Sequence, residues 1–277
     1  MTTVGFIGLG DMGGAMAQRI IGAGFPTVLW ARRPEVLVEY EGPSVETAES
    51  AADLAARSDL VGICVWGDED VREVLEGEQG VFAGSKPGTV IAIHSTISPN
   101  TCRELAQAAA ERNVVILDVP VSGGREVALS GSLTVAVGGD EEAAARCRPV
   151  FASFGDPVLY VGPAGAAQSV KLINNALLAA NLALADDALT LGQGFGIRDD
   201  AIAQWLRSGS GRSYALDVAM GARGSQEIRD AARPPLEKDV HALSEDVASQ
   251  EGMEAPLLID AAEEALRRMA DPPAGWA

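Results

Sequence analysis

The sequence is poor in several kinds of residue at once. Its 277 residues include only two histidines, His94 and His241, and three cysteines, Cys64, Cys102 and Cys147. An odd number of cysteines at these positions matches neither a disulfide framework nor a metal-ligand spacing, so no metal site is expected and the thiols read as reduced, in a cytosolic protein. Neither histidine stands in a Ser or Cys pattern, and no GxSxG elbow or Ser-x-x-x-Lys pair occurs, which leaves nucleophilic hydrolysis without a carrier. Basic residues are scarce: 21 Lys and Arg against 39 Asp and Glu give a formal net charge of -18. A surface of that sign repels nucleic acid and anionic lipid, so neither is an expected partner. Any anionic ligand must then be held by local positive charge. Long hydrophobic runs are missing too. Each is broken by Asn, Asp or Gly short of a membrane span, and MTTVGFIG shows no charged or long apolar leader region.

What is present is an ordered alternation. Apolar residues make up 47% of the chain, enough to build one large core or two of ordinary size. Short apolar runs occur at 4–9, 27–31, 60–65, 89–93 and 114–119, with further runs at 133–137 and 158–162. Bounded by Gly, Pro or charge, they read as buried strands. Helix-like segments lie between the first five, at 13–23, 46–57, 69–75 and 100–112. This βαβ alternation predicts a parallel, doubly wound sheet. Past Gly162 the texture changes. The stretch 165–194 is rich in Ala and Leu and predicts one helix about 45 Å long. Helices are expected at 199–207, 213–222, 236–250 and 255–270, and no strand after them. The predicted fold is therefore an α/β Rossmann domain, residues 1–163, followed by an all-α domain, residues 164–277, hinged near 162–166, with a frayed DPPAGWA tail.

The first strand runs into GLGDMG. Gly8, Gly10 and Gly13 stand at GxGxxG spacing, with Leu9, Asp11 and Met12 between them. Alone, such a run is a weak signal, because glycine turns also serve packing. Here it follows a strand, opens a helix and lies inside a βαβ unit, which is where a dinucleotide pyrophosphate meets unpaired helix N–H groups. The end of the second strand then bears on the adenosine ribose. An acid there grips the hydroxyls of NAD. This chain has Ala31 there, followed by Arg32 and Arg33, which suit a 2′-phosphate, so NADP is expected in preference to NAD. Glu35, close by, keeps a role at the ribose open, and a solvated Arg pair is the plain alternative.

Candidates for chemistry are few. Lys171 is the one cation in the 165–194 helix, and Asn174 and Asn175 follow it. Lys171 and Asn175 are four residues apart and share a helix face. A lysine beside an oxidised nicotinamide ring has its pKa lowered and can exchange a proton with a hydroxyl or carbonyl oxygen, while an amide holds that oxygen. The same pattern suits a snorkelling surface lysine. The strand end DVPVSGG offers Ser122 with the N–H groups of Gly123 and Gly124 as a cradle for a carboxylate, or as a plain closing loop. Thr96, at another strand end, is placed to touch nicotinamide or substrate, or merely to start a turn.

Five stretches together resemble the β-hydroxyacid dehydrogenase family, which is related to 6-phosphogluconate dehydrogenases. They are GFIGLGDMGGAMA (5–17), STISP (95–99), DVPVSGG (118–124), GPAGAAQSVKLINN (162–175) and LEKDVHAL (236–243). The resemblance implies a Rossmann domain joined by a long helix to a helical domain, with catalysis in the cleft between them. It implies Lys171 as catalytic lysine with Asn175 as its partner, and Ser122, Gly123 and Gly124 at a small substrate's carboxylate. It also implies Thr96 near the nicotinamide, Lys238 reaching toward cofactor and substrate, and a homodimer or homotetramer formed through the helical domains. Arg125, Glu126, Ala167 and Trp66 depart from the family's usual small residues, Gly and Pro, and are expected to line the substrate region. Arg212 and Tyr214 are further pocket candidates, or ordinary helix caps. The expected activity is NADP-dependent interconversion of a small β-hydroxy acid and its semialdehyde or keto form. Two alternatives stand beside it: an imine reductase of the same architecture, which usually has Asp or Tyr at the Lys171 position, and a cofactor-binding module without turnover.

Overall fold

A computed structural model describes residues 2–40, 42–222, 226–250 and 252–271. The chain divides into two compact units, Met1–Lys171 and Leu172–Ala277. Elements of the first are β1 (Val4–Ile7), α1 (Asp11–Gly22), β2 (Thr27–Trp30), β3 (Val45–Thr47), α2 (Ala51–Ala56), β4 (Leu60–Ile63), α3 (Asp68–Glu76), α4 (Val81–Gly84), β5 (Val90–Ile93), α5 (Pro99–Ala110), β6 (Val115–Asp118), β7 (Val121–Ser122), α6 (Arg125–Leu129), β8 (Leu133–Gly139), α7 (Glu141–Phe151) and β9 (Gly155–Gly162). The sheet runs in the order β3-β2-β1-β4-β5-β6-β8-β7, with β9 on β8.

The six strands from β3 to β6 are parallel. Their side chains alternate between two cores. Val4, Phe6, Val90 and Ala92 face one layer, with Ala15, Met16 and Phe151 of α1 and α7. Ile7, Ile63, Ile91 and Ile93 face the other, with Leu54, Val71, Leu75 and Leu105 of α2, α3 and α5. A strand buried on both faces has no reason to alternate in polarity, which is why the sequence shows unbroken apolar runs. The five runs from which a parallel sheet was expected are parallel, and the sheet continues beyond them with a strand of opposite direction. β8 runs antiparallel to β6 and β7. The connection from β6 into β7 and α6 is too short for a crossover helix, so the strand that follows enters from the opposite direction.

Two expected helices start elsewhere. The helix expected at 46–57 begins later, and its first two residues, Glu46 and Thr47, belong with Val45 to β3 beside β2. The helix starts at Ala51, where the Ser50 hydroxyl accepts the Asp53 N–H at 3.0 Å. Helix α7 is capped by Asp140, whose carboxylate accepts the Ala143 N–H at 2.7 Å. In the second unit one helix extends well before its expected start.

That second unit is built from the long helix α8 (Ala166–Gly194), which begins in the first unit, and from α9 (Asp199–Ser208), α10 (Tyr214–Ala222), α11 (Gln226–Ser249) and α12 (Pro256–Ala270). Its core takes Leu172, Ala176, Ala179 and Ala183 from one face of α8, and Leu236, Val240, Leu243, Ala262, Ala265 and Met269 from α11 and α12. Positions 172, 176, 179 and 183 are the i, i+4, i+7 stripe of a buried helix face. Helix α11 continues through Pro234 and Pro235, where interior prolines cost hydrogen bonds. Packing of Leu236 and Val240 outweighs that local preference. Among the described residues no helix is long and apolar enough to cross a membrane.

Candidate active site

The strand order turns back on itself between β1 and β4, because β2 and β3 lie on one side of β1 and β4 to β6 on the other. In open α/β sheets this switch point is where a ligand lies. The glycine loop leaves β1 at this place. Gly8 has φ +91°, and a Cβ there would overlap the carbonyl oxygen of Cys64 at the end of β4. A Cβ on Gly13 would overlap the carbonyl oxygen of Gly8. Both positions are glycine because the first turn of α1 lies against the loop and the neighbouring strand. Gly10 is different: its Cβ would meet nothing within 4 Å. Gly10 is the N-cap of α1, with no side chain capping the helix. The first N–H groups of α1 thus face open space at the positive end of the helix dipole. Leu9 and Met12 are half-buried and Asp11 is exposed. These residues fit a dinucleotide diphosphate: an open cradle at Gly10 and a helix N-terminus that its N-cap residue leaves without a side-chain cap.

At the end of β2, Ala31 is half-buried and Arg32 and Arg33 are exposed. Arg32 is engaged with α3, at 2.9 Å from Asp70 Oδ1 and 3.6 Å from Glu73 Oε2. Arg33 is the N-cap residue of a short 3-10 helix, Pro34–Glu39, and forms no ion pair among the described residues.

The ends of β5 and β6 are tied to the first turn of α8. Asp118, fully buried at the end of β6, accepts three backbone N–H groups: Gly165 at 3.1 Å, Ala167 at 2.8 Å and Gln168 at 3.0 Å. Gln168, also fully buried, donates to the Ser95 carbonyl at 2.9 Å and accepts the Ile97 N–H at 3.1 Å. Its amide therefore brackets Thr96, which is half-buried between them. Lys171 lies three residues beyond Gln168 on the same helix and is half-buried. Carboxylate and amide together fix where the helix begins, and so where its first cation is carried. Ser122 ends β7 and is half-buried, while Gly123, Gly124, Arg125 and Glu126 are exposed. Trp66 is exposed as well. Ala167 is fully buried, so its side chain does not line an open site as expected; its backbone serves the Asp118 cap. Neither Asp118 nor Gln168 was legible as a site residue, since each acts across 47 to 73 residues of chain.

His94 is a core residue. Its ring stacks on Phe6 at 5.7 Å and meets Phe151 and Phe154 edge-on at 6.1 and 5.5 Å. Nδ1 lies 2.9 Å from the Val119 carbonyl and donates to it. Burial pushes the imidazole down to about 4, against the smaller upward pull of that carbonyl. A folded pKa below the unfolded one means stability that is full above the unfolded pKa of about 6.5 and lost as pH falls through 4, about 3 kcal/mol in all. His94→Asn keeps a donor near Nδ1 and removes the titration. The wild type is expected to lose that extra stability between pH 6.5 and 4 in urea unfolding. Parallel pH profiles for the two proteins would refute the assignment. The cysteines are free, and burial pushes the Cys64 thiol up to about 12 and that of Cys147 up to about 11. Among the described residues no group of three or more His, Cys, Asp or Glu could hold a metal ion.

Within the second unit a buried polar cluster forms around Asp239. The Asn175 amide donates to Asp239 Oδ2 at 2.6 Å, and Lys238 Nζ lies 3.2 Å from Asp239 Oδ1. Asn174 is exposed and donates to Asn175 Oδ1 at 3.0 Å. Asn175 and Asp239 are both buried, and Lys238 is half-buried. The sequence singled out Asn175 and Lys238 but not the carboxylate they share. Asp239 follows Glu237 and Lys238 in a charged stretch of α11, so nothing in the sequence set it apart. Arg212 and Tyr214 are exposed beside the Arg207–Asp217 ion pair of 2.6 Å.

Residues 3–162 match a family described as the NAD binding domain of 6-phosphogluconate dehydrogenase. Residues 165–272 match a second, described as NAD-binding of NADP-dependent 3-hydroxyisobutyrate dehydrogenase. The chain is 36% identical over 217 residues to the mitochondrial 3-hydroxyisobutyrate dehydrogenase of Rattus norvegicus, covering 78% of this chain but only 65% of that relative's length. It is 34% identical over 233 residues to the NAD-dependent L-serine dehydrogenase of Pseudomonas aeruginosa, covering 84% of this chain and 78% of the relative. Among solved structures it is similar to Mycobacterium tuberculosis 3-hydroxyisobutyrate dehydrogenase with L-serine, with a TM-score of 0.84, 28% identity, and coverage of 98% and 94% of the two chains.

Proposed function

The chain belongs to the β-hydroxyacid dehydrogenase family, and from that premise we propose that it oxidises a small β-hydroxy acid, or reduces its semialdehyde or keto partner, with NADP. The observation that carries this reading is the double tie of Asp118 and Gln168 onto α8. It ties the first turn of α8, one turn before Lys171, to the carboxyl ends of β5 and β6, and so supports a place for Lys171 near the edge that the glycine loop, Thr96 and Ser122 share. Bound NADP supplies the hydride acceptor or donor. The rest falls to side chains of this chain. Lys171 holds the substrate oxygen: as the neutral amine it takes the hydroxyl proton when the acid is oxidised, and as the ammonium it gives a proton to the carbonyl oxygen when the partner is reduced. Asn175, oriented by Asp239, supplies an amide for that oxygen. Ser122 with the N–H groups of Gly123 and Gly124 binds the carboxylate, and Thr96 and Lys238 contact cofactor and substrate. In a chain of net charge -18 a carboxylate substrate needs such local donors.

The test is a panel of C3–C5 hydroxy acids and semialdehydes, run with NADP and NAD separately. Turnover of at least one acid is expected. Tight NADPH binding without turnover would favour a non-catalytic module, and turnover of cyclic imines alone would favour an imine reductase. The NADP preference rests on Ala31 and Arg33, since Arg32 is already paired with Asp70. Arg33→Ala is expected to raise KM for NADP about tenfold and leave KM for NAD within twofold, as for loss of one charge-assisted phosphate contact. A wild-type efficiency ratio favouring NAD would overturn this choice.

We also propose a cytoplasmic homodimer or homotetramer. Ile173, Leu177, Leu184 and Leu191 of α8 are all about half exposed or more. Spacings of four, seven and seven make a seam suited to a second helix. Leu184→Glu with Leu191→Glu is expected to shift the protein to a monomer by light scattering after size exclusion. An unchanged mass would refute this interface.

A further inference from the structure

The glycine loop carries an electrostatic problem. Asp11 is the first residue of α1, directly after Gly10. Its carboxylate suits the helix dipole, but it occupies the position from which an incoming diphosphate must be received. In a chain of net charge -18 there is little background to offset that repulsion. The structure places one cation against it. Arg125 Nη1 donates to the Asp11 carbonyl at 3.2 Å and lies 3.5 Å from Asp11 Oδ1.

This placement is fixed by packing. Arg125 opens α6, and α6 lies along α1. At the far end of the pair, a Cβ on Gly131 would meet the Arg19 guanidinium. Between the ends, Val127 and Leu129 pack on the core that holds Met16 and Ala17. Tyr40 adds to the picture. Its hydroxyl lies where a Cβ on Gly14 would fall. Burial raises its pKa first and Glu39 adds to that, while the Arg125 charge lowers it. The guanidinium is therefore felt at the first turn of α1 from two sides. Arg125 also follows Gly124 directly, so the proposed carboxylate cradle and the proposed diphosphate cradle are joined through this one side chain.

We propose that Arg125 is a positioning residue of the cofactor site, which neutralises Asp11 so that the N-terminus of α1 accepts the diphosphate of the dinucleotide. The inference rests on the dinucleotide-binding reading given above. It makes a sharp demand: the need for Arg125 exists only because Asp11 is charged.

The experiment uses the full chain and measures binding of NADPH, NADH and adenosine 2′-monophosphate, which lacks the diphosphate. Arg125→Met is expected to weaken both dinucleotides about tenfold at low salt, with the loss shrinking as salt rises. Adenosine 2′-monophosphate should change less than twofold. Arg125→Lys, which keeps the charge, should lose less than threefold. The decisive protein is Arg125→Met combined with Asp11→Asn, expected to bind NADPH within twofold of wild type. A lowered melting temperature with equal loss for all three ligands would mark a merely structural residue and overturn the proposal. So would an Arg125→Met protein that binds like wild type, or a loss that Asp11→Asn leaves in place. A wild-type chain that binds neither dinucleotide would instead overturn the underlying reading, and this one with it.

Discussion

Lys171→Met is expected to lower kcat about 10³-fold while leaving the Kd for NADPH within threefold. Methionine keeps the length of the stem and removes only the ammonium, so the helix surface is filled as before. The size of the effect is that of a positioned general acid or base, which contributes about 10² to 10⁴ in rate. Lys171→Arg makes the test sharper. It keeps the positive charge but cannot release a proton near neutral pH, because a guanidinium stays protonated. If the lysine acted only as a charge that holds the substrate oxygen, Lys171→Arg would retain much of the activity. If it moves a proton, Lys171→Arg is as slow as Lys171→Met, and the pH dependence of kcat/KM loses one limb in both. A Lys171→Met protein within tenfold of wild type would end the proposed mechanism.

The parts of this molecule that were legible in its sequence are the local ones. The runs that form β1, β2, β4, β5 and β6 are contiguous and buried on both faces, so they stand out as blocks of Val, Ile and Leu. The glycine spacing and the lone lysine of α8 are equally local. What escaped was set by distant partners. β3 is only Val-Glu-Thr, with nothing in composition to separate it from a helix start; its strand state comes from pairing with β2. Helix α11 begins before Pro234 because Leu236 and Val240 have a core to enter. In the candidate site, Asp118 lies in a quoted motif and still showed no role. Its partners are backbone N–H groups, which every residue but proline carries, and they come from 47 to 50 residues away. A side chain that serves the backbone leaves no complementary residue type to find. Asp239 was hidden by distance alone: its partner is a side-chain amide, that of Asn175, 64 residues away.

That hidden role makes Asp118 the position with the largest expected structural effect. Asp118→Ala removes the acceptor of three buried N–H groups at the start of a 29-residue helix. Groups left buried without partners cost about 1 to 3 kcal/mol each, and partial relaxation brings the expected total to about 3 to 5 kcal/mol in urea unfolding. Asp118→Asn keeps the volume and one carbonyl oxygen but turns an NH₂ group toward an N–H donor, so about 2 kcal/mol is expected. The milder variant also connects fold to chemistry. If the carboxylate serves only stability, Asp118→Asn should show full kcat wherever it is folded. If it sets the position from which Lys171 works, kcat falls at temperatures well below unfolding, because a displacement of about 1 Å at a catalytic group can cost about 10²-fold. NADPH affinity should hold within threefold, since the glycine loop belongs to other elements. An Asp118→Ala protein within 1 kcal/mol of wild type would show that other groups hold the start of α8. The geometric basis for placing Lys171 at this edge of the sheet would then be lost.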